Sequence, residues 1–151
     1  MPNEKNCCPH CGASMKVHNQ RLSKGLAKLL IQFKSKVLEL NRNEIHLQKD
    51  LKLTNNQFGN FQKLRYHGLI AKVYDKETKL HKGGYWLLTK KGNQFLKSEI
   101  STAQSVFTFR NKIVDKSPNK VFLSEVLNDE SLPIWDDYNY AIQYQDNQEF
   151  N

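Results

Sequence analysis

A chain of 151 residues with 38% apolar and 25% charged residues is long enough for one folded core and too apolar for a disordered polymer. No apolar run reaches the roughly 18 to 20 residues that a membrane span needs, and no apolar signal core follows Met1. These features predict a cytoplasmic chain with reduced thiols, in which crowded cysteines suggest metal or nothing rather than a disulfide framework. All 23 Lys and Arg lie at or before Lys120 with 8 of the 15 acids, so residues 1–120 carry +15 and residues 121–151 carry −7. A basic body suits a polyanion partner, although a Lys-rich surface also serves solubility alone.

Three cysteines crowd the start of the chain. Cys8-Pro9-His10-Cys11-Gly12 has the two-residue spacing that lets two thiolates meet one tetrahedral ion. It is similar to one CPxCG knuckle of a zinc ribbon, and no later cysteine supplies a second knuckle. Cys7 or His10, His18, a distant His46, His67 or His81, or a second subunit would complete the shell. The expected ligands are Cys8, Cys11, His18 and Cys7, around a structural zinc. A cysteine-rich arm without metal is the competing expectation.

Ser23 is a plausible N-cap for a first helix, in which Leu26, Leu29, Leu30, Phe33, Val37 and Leu38 recur at helical spacing. Lys24, Lys28, Lys34 and Lys36 fill its other faces, and it ends near Asn41-Arg42-Asn43. Asn43 is expected to cap a second, short helix through about Leu51, with Ile45, Leu47 and Leu51 inward. Thr54-Asn55-Asn56-Gln57 then forms a capping box, and Phe58, Phe61 and Leu64 give a third helix its buried stripe. Gly68 is a natural left-handed stop. A strand over residues 69–74, a charged turn and a returning strand over 85–88 follow, with Gly83-Gly84 loosening the loop between them. Thr89 caps a further helix over 90–97, in which Gly92 costs about 1 kcal/mol relative to Ala.

Leu53-Thr54 opening a helix, Leu64 near its end and Gly68-Leu69-Ile70 entering a strand resemble the passage from recognition helix to wing in MarR-like and PadR-like regulators. Leu88-Thr89-Lys90-Lys91-Gly92 followed by Phe95-Leu96 is similar to the LTxKGxxxL segment that ends the wing there. The resemblance implies an α+β fold: a winged helix-turn-helix over 22–98, preceded by a Cys-rich arm over 1–21. A β-hairpin extension over 99–132 and an acidic aromatic tail over 133–151 complete the chain.

With Phe58, Phe61 and Leu64 inward, the outer face of the third helix carries Asn55, Asn56, Gln57, Asn60, Lys63 and His67. Amides pair bidentately with adenine edges, and the start of such a helix is the part that meets bases. Lys63 and Arg65, with Lys72, Lys76, Lys79 and Lys82 of the wing, suit phosphates, which position a protein without specifying sequence. The expected function is non-enzymatic binding of double-stranded DNA by a small prokaryotic or phage-type transcriptional regulator. The alternative is a protein-interaction module, an adaptor or inhibitor whose acidic tail meets a basic partner. No phosphate loop, zincin motif or nucleophile elbow suggests an enzyme.

Beyond the wing, Val106–Val114 reads as a strand, residues 115–120 as a turn, and Val121-Phe122-Leu123 as its returning partner. Ser124–Leu127 reads as a single helical turn. In the tail, Ile134, Trp135, Tyr138 and Tyr140 either cover the hairpin's apolar face, or Asp136 and Asp137 act as a polyanion mimic against the basic surface. A homodimer would have to use the first helix, the cysteine arm or the C-terminal hairpin, because no long C-terminal helix is expected.

Overall fold

Ser23 starts the longest element among the described residues. Its hydroxyl accepts from Leu26 N at 3.3 Å, and helix α1 (Lys24–Leu40) runs until Asn41 turns left-handed at φ 52°. The computed structural model describes residues 16–128, 131–135, 142 and 144–146. Among them α and β elements mix, and no helix is long and apolar enough to cross a membrane.

Helix α1 buries Leu26, Leu29, Leu30, Phe33 and Val37, as its spacing predicts. Lys34, expected on an outer face, is fully buried as well. Its ammonium donates to Asn93 Oδ1 at 2.7 Å and lies 4.6 Å from the centre of the Trp135 ring. Cover by that C-terminal tryptophan, 101 positions away, accounts for the burial.

The second helix expected after Asn43 does not form. Both ends of the Asn43 amide pair with the Leu88 backbone at 2.9 Å, imitating a strand neighbour. This sets strand β2 (Ile45–His46) beside strand β4 (His81–Leu88), with Ile45 opposite Trp86. Only a single turn follows. His46 Nδ1 accepts from Gln48 N and Lys49 N, while Asp50 accepts from His46 N at 2.8 Å. Ile45 and Leu47 still reach the core.

The capping box forms as read: Gln57 N donates to Thr54 Oγ1 at 3.2 Å, and Thr54 N donates to Gln57 Oε1 at 3.1 Å. Helix α2 (Asn55–Phe61) then tightens into a 3-10 turn over Gln62–Arg65. Phe58, Phe61 and Leu64 recur every three residues, which matches three residues per turn better than 3.6. Phe61 stacks on Phe33 at 5.2 Å between ring centres and holds α2 on α1. Gly68, at φ 75°, ends the run. Gly68 N donates to Arg65 O and Leu69 N to Leu64 O, the paired bonds of a Schellman stop.

Strands β3 (Ile70–Tyr74) and β4 form the long hairpin, and the sheet order is β2-β4-β3, all antiparallel. Thr89 caps helix α3 (Lys90–Leu96): its hydroxyl accepts from Gly92 N at 2.9 Å and donates to Gly68 O at 2.6 Å. A Cβ on Gly92 would stand 2.1 Å from Leu69 O, so the glycine lets α3 lie on the entry to β3. The helix-propensity cost has a packing reason.

In the C-terminal region the expected long strand is two. Strand β6 (Ser105–Phe109) turns at Arg110-Asn111, both with positive φ, into strand β7 (Lys112–Lys116). Positive φ at both central residues is the signature of a type I′ two-residue hairpin turn. Val121 does not pair back on this hairpin. It lies in strand β8 (Lys120–Val121), which pairs with strand β5 (Thr102–Ala103). Strand β1 (His18–Arg21) pairs with β6, so these four residues are hydrogen-bonded into the C-terminal sheet β1-β6-β7. The expected helical turn is helix α4 (Leu123–Leu127), which buries Leu123 and Leu127.

Candidate nucleic-acid interface

Residues on α2 divide by the work they already do. Asn55, Asn56 and Lys63 are exposed, while Gln57 and Asn60 are half-buried. The Gln57 carbonyl oxygen is spent on the capping box. Arg65 lies over the Tyr66 ring at 4.8 Å and donates to Tyr66 Oη at 2.9 Å; that hydroxyl donates in turn to Asn111 Oδ1 at 3.1 Å. Arg65 is thereby tied to the turn between β6 and β7, which restricts its reach as a phosphate contact.

His67 does not belong to the outer face. It is 2% exposed, and its Nε2–H donates to Gln20 O at 2.7 Å, fastening β1 to the end of the 3-10 turn. Nδ1 has no hydrogen-bond partner among the described residues. Burial pushes the imidazole pKa down to about 4; Lys91 and Lys116 push the same way, against the Gln20 carbonyl and the Ala103 backbone.

Between α1 and α2 lies a groove of about 570 Å³. Arg21, Lys28 and Lys63 line it with Asn19, Gln32, Gln57 and Asn60, and no carboxylate lines it among the described residues. Arg21 comes from the end of β1 and Lys28 from the first turns of α1. All three cations are exposed. A trough of fixed positive charge with amide donors and acceptors between suits a phosphodiester strand. Arg21 and Lys28 were missed by sequence reasoning. The i, i+4 pair Lys28 and Gln32 on the face beside the Leu26–Leu29 stripe was the available signal.

The hairpin loop is a second basic surface. Asp75 accepts from Glu77 N and Thr78 N at 2.9 and 3.0 Å, which holds the turn and keeps its carboxyl below the ordinary 3.8. Lys76 and Lys79 project from this loop and Lys82 from the start of β4, all exposed, with Lys79 left-handed at φ 63°. Lys82 packs its ammonium 4.5 Å from the Tyr85 ring and 3.9 Å from Glu44. None of the three lines the groove, and neither do Asn55 and Asn56.

Cys7, Cys8 and Cys11 lie outside the described residues. His18, the fourth expected ligand, opens β1 opposite Thr108 and is exposed. Among the described residues no three His, Cys, Asp or Glu side chains gather in a metal-binding group. In the tail, Asp136, Asp137, Tyr138 and Tyr140 also lie outside the described residues. Trp135 packs as a cover, its indole N–H donating to Leu96 O at 3.0 Å, but Ile134 is 96% exposed. Comparison with protein-family models, curated proteins and solved structures gave no match.

Proposed function

We propose that this chain is a non-enzymatic binder of double-stranded DNA, acting through a winged helix-turn-helix in which α2 and the β3–β4 hairpin face the duplex. The order α1, β2, α2, β3, β4 and the sheet order β2-β4-β3 support that reading of the fold. The departure is the second helix, reduced to the single turn capped by His46. The observation that carries the DNA-binding role is the groove between α1 and α2, with Arg21, Lys28 and Lys63 on its walls and no carboxylate among the described residues that line it. Asn55, Asn56 and Asn60 supply base-edge chemistry, while Lys76, Lys79 and Lys82 reach phosphates flanking the site. Service as a transcriptional regulator follows from the resemblance to regulator wings, not from the groove.

Fluorescence anisotropy with a random-sequence duplex of about 25 base pairs tests this across salt concentrations. Each phosphate that is no longer neutralised should flatten the log–log salt slope by about 0.9, so Arg21→Glu with Lys28→Glu and Lys63→Glu should flatten it by about 2 to 3. Affinity should fall by about tenfold or more at low salt. These exposed positions leave the fold intact, which circular dichroism checks. Absence of binding at low salt, or a triple variant with unchanged slope, defeats the proposal.

A further inference from the structure

We infer that one face of the β1-β6-β7 sheet stacks unpaired bases and gives the protein a site for single-stranded DNA beside the groove. Strand β6 alternates: Val106 and Thr108 are buried on one side, while Phe107 and Phe109 are half-buried on the other. Residues that stand opposite each other in neighbouring strands share a face. On β1, Asn19 stands opposite Phe107 and Arg21 opposite Ser105; on β7, Lys112 stands opposite Phe109 and Asp115 opposite Phe107. Asn19, Arg21 and Lys112 are exposed. Arg110 of the turn reaches back over Phe109, its guanidinium 5.2 Å from the ring centre, which brings its charge to the same side of the sheet.

Two rings two positions apart on one strand lie about 7 Å from each other, a step that an extended single strand makes from one nucleotide to the next. Bases stacked inside a duplex do not reach such rings, whereas unpaired bases of any kind offer them a π-face. The charges are placed to match. Arg21 at one end of the face, and Arg110 and Lys112 at the turn, suit the phosphates on either side of the rings. Asp115, the one carboxylate of these three strands, stands beside Phe107, where a base lies instead of a phosphate and its N–H groups meet an acceptor. Asn19 and Arg21 also line the groove, so face and groove are continuous. The inference does not rest on duplex binding, because its probe is a strand without a complement.

Fluorescence anisotropy of the full-length protein with oligothymidylate of about 15 nucleotides tests this, against an abasic strand of the same length and charge. Oligothymidylate should bind saturably and at least about fivefold more tightly than the abasic strand, the factor that base–aromatic stacking supplies per base. Phe107→Leu with Phe109→Leu fills the same space without a ring and should remove that preference, while Phe107→Tyr with Phe109→Tyr should keep it. Arg110→Gln with Lys112→Gln, at exposed positions, should flatten the log–log salt slope by about 1.4. Circular dichroism checks each fold. Equal binding of the two strands, a leucine variant that keeps the preference, a folded tyrosine variant that loses it, or an unchanged salt slope would each overturn the inference. Duplex measured in parallel keeps the two sites apart: failure to bind it defeats the groove alone.

Discussion

Acidification should loosen the protein through His67, and the size of the effect follows from where that ring sits. In the unfolded chain the imidazole titrates near its ordinary 6.5, whereas in the fold burial holds it down at about 4. The folded state therefore refuses a proton that the unfolded state accepts throughout that interval. Stability from this group is fully present above pH 6.5 and is lost as pH falls toward 4, where the loss levels off. At about 1.36 kcal/mol for each pH unit of difference, the loss amounts to about 3 kcal/mol. Asp75 does not contribute in this window: its carboxyl is held below 3.8, so its stabilisation disappears only at still lower pH. Urea unfolding at steps between about pH 7 and pH 4 measures the effect, with His67→Gln as the reference. The amide retains a donor for Gln20 O and cannot titrate. Wild type should lose about 3 kcal/mol more than the variant over the interval. Parallel stability profiles for the two proteins would refute the reasoning, because they would show that the buried ring takes up its proton as easily as an exposed one.

Two further outcomes test the packing and the arm. Gly92→Ala should destabilise by about 2 kcal/mol despite the better helix propensity of alanine, since the new methyl group meets Leu69 O. An unchanged or raised urea midpoint would show that α3 can move off the strand entry. For the N-terminal knuckle we expect about one zinc per chain in untagged protein, by elemental analysis, lost on Cys8→Ser. A stoichiometry near zero in the unaltered protein would reject the metal site.

Features set by neighbours along the chain were legible in the sequence alone. Ser23, Thr54 and Thr89 each accept from the amide three positions on, and Gly68 stops a helix by its own backbone freedom, so each cap reads locally. Features set by distant partners were not. Asn43 looks like a cap until Leu88, 45 positions away, occupies both ends of its amide. Lys34 and His67 look like surface residues until Trp135 and Gln20 arrive. The hairpin turn escaped for a different reason. Arg110 carries no left-handed preference, so only its pairing shows that the chain reverses there. The candidate groove was half legible, because α2 supplied its own wall while β1 and α1 supplied the other.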